Sequence, residues 1–232
     1  MEQYLDYTDE RNHIGCAFCG EQVSTVDHIP ARAFLVKPYP ENLCTIDVCA
    51  ECNNASSQDE EYVAFLLHYL KLLEEGKHEE LDKYFNTECN LKKERRLRKE
   101  DALFNVFNAD AFGTYYLNID KEAIKRVLIK YAKGHILYEL GKRIFDIPNH
   151  IAFVFKNQID DSVMDKFEKI QDCTVFPEVG SRLLQRIAKY GTNDWVKIQD
   201  GRYRYFIGYS PGISVKIVIN ELMLGEIIWE GE

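Results

Sequence analysis

The sequence predicts an α+β protein in three parts: a small cysteine-rich N-terminal module, a helical middle and an antiparallel β-rich C-terminal part. Three observations carry this reading. Two Cys-x-x-Cys pairs, Cys16-Ala17-Phe18-Cys19 and Cys49-Ala50-Glu51-Cys52, fall within the first 60 of 232 residues. Apolar residues recur at helical spacing over residues 121–140. Near the C-terminal end an Asp200-Gly201 pair divides two alternating runs, a strong short-range hairpin signal. The boundaries are placed at residues 1–60, 61–145 and 146–232.

The first part has few long periodic segments and many turn formers. Its two pairs supply four thiolates, which make a closed tetrahedral zinc site. Such a site is structural, because no position is left for a water. The gap between the pairs exceeds the ~15–20 residues of common zinc folds, so it holds an insert. His13, three residues before Cys16, is expected to be a surface histidine, since the thiolates already complete the site. Cys44, Cys89 and Cys173 read as buried small hydrophobes or surface thiols. Seven cysteines is an odd number, and the start MEQYLDYTDE is acidic without an apolar run. Both predict a cytoplasmic chain without a disulfide framework or export signal. No stretch approaches the ~20 apolar residues of a membrane span.

Ser57-Gln58-Asp59-Glu60 has the form of a capping box, so a helix is expected from there through the apolar run Tyr62–Leu73. Asp59, Glu60 and Glu61 then sit at a helix start, favourable to the dipole. In the second helix Ile124, Val127, Leu128, Tyr131, Ala132, His135 and Ile136 form the apolar side. Lys121, Lys125, Arg126, Lys130 and Lys133 form the more polar side. A helix near 180–190 precedes the meander. Pro211-Gly212 marks a turn, Val215, Ile217 and Ile219 alternate, and Ile227-Ile228-Trp229 closes it. Tyr203 and Tyr205 are expected inward on a half-buried strand, with Arg202 and Arg204 outward.

The formal charge is −9, which at first argues against a nucleic-acid partner. The charge is unevenly spread. Residues 1–60 carry three Lys/Arg against eleven Asp/Glu, whereas residues 91–133 carry eleven against six. The densest basic segment is Lys92-Lys93-Glu94-Arg95-Arg96-Leu97-Arg98-Lys99. It reads as a solvated helix face, or, if the chain binds DNA, as a DNA-backbone contact together with Lys125, Arg126, Lys130 and Lys133.

The insert contains Thr25-Val26-Asp27-His28-Ile29-Pro30, then Asn42-Leu43, and Cys52 is followed by Asn53. In this order Cys16-x-x-Cys19-Gly20, Asp27-His28-Ile29-Pro30, Asn42-Leu43 and Cys49-x-x-Cys52-Asn53 resemble the HNH endonucleases of the zinc-bearing ββα-metal type. The resemblance covers about residues 13–60. Pro30, Arg32, the stretch Ser57–Tyr62 and the C-terminal strands also look like a group of bacterial HNH proteins.

The resemblance implies roles residue by residue. Cys16, Cys19, Cys49 and Cys52 would hold the structural zinc. His28 would be the general base, and Asp27 and Asn53 would hold a catalytic Mg²⁺ or Mn²⁺. Asn42 would brace the loop that aims His28. An imidazole suits proton transfer near neutral pH, and a hard cation takes oxygen ligands. Arg32 is a candidate phosphate contact, and Arg95, Arg96 and Arg98 are candidate DNA contacts. Two features depart from the family: no Lys or second His follows Asn53, and prolines replace the glycines common before Asn42. A regular strand sends neighbouring side chains to opposite faces, so bringing Asp27 and His28 into one pocket requires a bend or two directions of approach.

The expectation is a metal-dependent endonuclease that hydrolyses phosphodiester bonds in DNA, and the resemblance implies a setting in bacterial defence or mobile-element biology. Two alternatives stay open: a non-catalytic zinc-stabilised nucleic-acid-binding module, and a subunit of a larger complex or homo-oligomer.

Overall fold

The computed structural model describes residues 4–41, 43–77, 79–80, 103–109, 113–170, 177–209 and 212–231. Asn42, Arg95, Arg96, Arg98 and Pro211 lie outside them, as do Cys89 and Cys173.

The N-terminal module is a β-β-α element. Strand β1 (Thr25–His28) pairs antiparallel with β2 (Thr45–Val48), and helix α1 (Ala50–Glu74) follows directly. This helix starts about two turns earlier than the capping box predicts. Cys49 is its N-cap, with Sγ accepting the amide of Cys52 at 3.4 Å. A thiol there does the work of the usual Ser, Thr, Asp or Asn. Ser57 is therefore interior, and its hydroxyl returns to the Asn54 carbonyl at 2.9 Å. Asp59 and Glu60 are not at a helix start either. Both are buried in the middle of α1, where dipole stabilisation has faded.

The middle holds more than helices. Strands β3 (Leu103–Ala109) and β4 (Gly113–Asn118) form an antiparallel hairpin before α2 (Lys121–Leu140). Both runs are rich in Phe, Tyr, Val and Thr, which favour strands. Helix α2 matches its expected span. Asp120 caps it by accepting the Ala123 amide at 2.9 Å, and Gly141 ends it in the left-handed region.

A five-stranded antiparallel sheet makes up the C-terminal part. It is built from β5 (His150–Phe155), β6 (Val196–Gln199), β7 (Tyr203–Tyr209), β8 (Ile213–Ile219) and β9 (Met223–Trp229), in the order β5-β9-β8-β7-β6. The last four strands are the expected meander, with Asp200-Gly201 at the β6–β7 turn. Strand β5 was not expected; it pairs with β9 and closes the other edge. Short helices α3 (Asp161–Glu168) and α4 (Arg182–Tyr190) lie between β5 and β6. Tyr203 and Tyr205 point inward as expected, and Arg204 is held by Glu168 and Glu221.

Helix α2 is the centre of the molecule. Its expected apolar residues are almost fully buried, against α1, β2, α4 and the sheet. A single apolar core runs from Cys16 to Trp229. Lys130, expected on the polar side, is buried instead, because α1 covers that side as well. No helix among the described residues is long and apolar enough to cross a membrane.

Candidate metal centre and active site

The first knuckle closes through backbone bonds. Cys16 N donates to Glu21 O at 2.7 Å, and Gly20 N donates to Cys16 O at 2.9 Å. Gly15 has φ +92°, and a Cβ there would lie 2.4 Å from Gly20 O, so only glycine fits. Ala17 N donates to Asp47 O, which fastens the knuckle to β2 and brings it to the start of α1.

The four thiols of Cys16, Cys19, Cys49 and Cys52 lie within 4.8 Å of one another, and Cys19 Sγ is 3.7 Å from Cys49 Sγ. Tetrahedral zinc with Zn–S of ~2.3 Å has S···S edges of roughly 3.8 Å, so the spacing fits the ion. Ionisation also fits. Burial opposes it at Cys16, but the amides of Cys49, Phe18 and Cys19 outweigh burial and bring that thiol down to about 7. Burial and the three neighbouring thiols push Cys52 up. A bound dication relieves this crowding of like charge. His13 takes no part; its Nε2 meets Thr8 Oγ1 at 3.0 Å and Asp6 Oδ2 at 3.4 Å.

The Asp27-His28 pair ends β1, and the ladder on β2 is regular through both residues. Asp27 Oδ1 accepts the His28 amide at 2.8 Å. Asp27 Oδ2 lies 2.6 Å from the Lys130 ammonium, and the Asp27 side chain is only 11 % exposed. The contact is an ion pair without a directed hydrogen bond to that oxygen. Lys130 Nζ also donates to Glu60 Oε1 at 2.6 Å and to Ser56 Oγ at 2.8 Å. Burial pushes the Glu60 carboxyl up, and Lys130 pulls it part of the way back.

Asn53, Ser56 and Glu60 stand at i, i+3 and i+7 on α1, hence on one face. Two of the three share Lys130 with Asp27, and Asn53 lies on the same stripe of α1, one turn before Ser56. Neither Lys130 nor Glu60 was a predicted member of this site. The available signal was the i+7 spacing of Glu60 from Asn53, but capping chemistry accounted for that residue first.

The loop after β1 is fixed by α2. Ile29 is fully buried against Gly134, and Ala31 N donates to Tyr131 Oη at 3.2 Å. His28 is half-buried, with an unpartnered, buried Nδ1. Burial lowers its pKa and the Arg32 guanidinium lowers it further, while Asp27 acts in the opposite sense. The ring is therefore neutral at pH 7. Arg32 itself is exposed and lies over the Tyr39 ring at 5.6 Å.

Several cations of the basic stretch are spent inside the protein. Arg126 holds Asp59 through two bonds of 2.6 and 3.2 Å, and Lys133 donates to Phe145 O at 2.9 Å. Lys130 is enclosed by its three oxygens.

No protein-family model, no curated protein and no solved structure matches this chain.

Proposed function

We propose that this protein is a metal-dependent HNH-type endonuclease acting on DNA. One observation carries the reading. In a β-β-α element with a four-thiol cluster at its base, Asp27 meets α1 through Lys130 while His28 leaves the opposite face of the same regular strand end, so the two would approach an ion and its water from different sides. Asp27 already binds a cation in its buried setting, and Asn53 would add a carbonyl oxygen, a donor set that suits Mg²⁺ or Mn²⁺. When bound, such an ion supplies charge neutralisation at the scissile phosphate and the leaving oxygen.

His28, neutral at pH 7, would accept a proton from water through its imidazole. Burial, helped by Arg32, disfavours protonation of the ring, and Arg32 offers a charge-assisted contact to phosphate. Arg95, Arg96 and Arg98 are proposed to add backbone contacts.

The test is cleavage of supercoiled plasmid with Mg²⁺ or Mn²⁺, beside EDTA and His28→Ala. Metal-dependent nicking that disappears in His28→Ala is expected, and cleavage surviving that substitution overturns the assignment. One observation favours a second reading, a non-catalytic zinc module that binds nucleic acid or a larger complex. The Lys130 ammonium already neutralises the proposed metal ligand. Absence of cleavage on any DNA substrate supports that reading.

A further inference from the structure

We infer that Lys130 is the resident cation of the Asp27 site, and that a divalent ion binds Asp27 by displacing it. The inference rests on the nuclease reading and adds a residue far outside the motif.

A lysine with a 6 % exposed side chain must be paired, and Lys130 is paired across two elements: Asp27 on β1, Ser56 and Glu60 on α1. Two of its N–H donors are used on Glu60 and Ser56, and the ammonium is packed against Asp27 with almost no exposure, so it is closed off from a substrate phosphate. Lys130 is thus not a DNA contact in this arrangement. A divalent ion on Asp27 would stand within a few ångströms of the ammonium. Like charges at that range inside a protein repel strongly, so the two cations exclude each other.

The geometry also supplies the exchange. The contacts to Glu60 and Ser56 are directed hydrogen bonds, whereas the contact to Asp27 Oδ2 is not. Asp27 is therefore the contact Lys130 gives up most readily, and the ammonium must swing clear of Asp27 for the ion to enter. A groove of about 290 Å³ between α1 and α2, lined in part by Cys52, Ser56 and Lys130, gives the flexible side chain room to shift. Asp27 is thereby kept neutralised until an ion arrives, and Lys130 sets how much metal the site demands.

The experiment is isothermal titration of Mn²⁺ into the zinc-loaded 232-residue chain. Asp27→Asn should lose most of the wild-type Mn²⁺ affinity. The Lys130→Met/Glu60→Gln double variant removes one charge of each sign, so the net charge of the site is unchanged. It should bind Mn²⁺ about tenfold tighter, equivalent to about 1.4 kcal/mol. Unchanged or weaker binding in the double variant, with Asp27→Asn still impaired, overturns the role of Lys130 and leaves the nuclease reading standing. Wild-type affinity in Asp27→Asn instead removes the metal assignment itself. A measurement on unaltered protein guards against misfolded variants. On Mg²⁺ addition, the side-chain NMR signals of Lys130 should shift as the site fills, and a stationary Lys130 signal during filling overturns the displacement.

Discussion

Lowering the pH from 7 to 5 should remove about 2 kcal/mol of stability through one residue, His135. Its ring is fully buried on α2, stacked on Tyr205 at 3.6 Å between centroids, with Nε2 2.9 Å from Tyr203 Oη. Burial pushes its pKa down to about 3. In the unfolded chain the same imidazole titrates near 6.5. Between those values the unfolded state takes up a proton that the folded state refuses. The stabilisation is thus complete above pH 6.5 and is lost as pH falls towards 3. At pH 5 the unfolded ring is nearly all protonated and the folded ring nearly all neutral, and integrating over that interval gives the ~2 kcal/mol. The assay is urea unfolding followed by tryptophan fluorescence at both pH values, for wild type and His135→Phe. Phenylalanine keeps a ring against Tyr205 but loses the bond to Tyr203, a cost of about 1–3 kcal/mol at either pH. Carboxylates and the thiol cluster titrate in both proteins, so the comparison isolates His135. Wild type should lose about 2 kcal/mol more than the variant between the two pH values. Equal losses refute the account of a neutral, buried imidazole.

Two further outcomes test the packing that positions the site. Purified protein should carry one zinc per chain by elemental analysis. Cys16→Ser should lose it, with a cost of at least ~3 kcal/mol and a Tm drop of roughly 6–12 °C; a zinc-free variant melting at the wild-type temperature contradicts the cluster's structural role. Gly134→Ala places a Cβ 2.8 Å from Ile29 Cγ1, beside His28. The clash should cost about 1–3 kcal/mol, more than the ~1 kcal/mol that alanine gains in helix propensity, so the urea midpoint should fall. A higher midpoint would show that α2 and the β1 loop are not tightly packed.

Much of the architecture is legible in residue order. The thiol tetrad follows from ligand type and spacing, which need no tertiary information to suggest a tetrahedral ion. Helix α2 follows from its 3.6-residue period, and the β6–β7 hairpin from Asp200-Gly201 between alternating runs. The capping box puts the start of α1 too late because the true cap is a cysteine, which carries no weight in the usual capping code. Strand β5 and the β3–β4 hairpin were missed because short apolar runs have no period of their own that separates strand from helix.

The candidate site divides in the same way. Asp27, His28 and Asn53 stand out by their place between and beside the cysteine pairs. Lys130 and Glu60 do not, because their meaning comes from contacts across long stretches of chain. Lys130 finds Glu60 and Ser56 at separations of 70 and 74 residues, and Asp27 further still. In sequence Lys130 is one more cation on an amphipathic helix. Only the packing of α1 over α2 buries it, and a buried ammonium must collect anions. The chemistry of the N-terminal module can thus be read along the chain, whereas the cation already seated on Asp27 is a product of tertiary structure, since desolvation rather than residue type gives Lys130 its role.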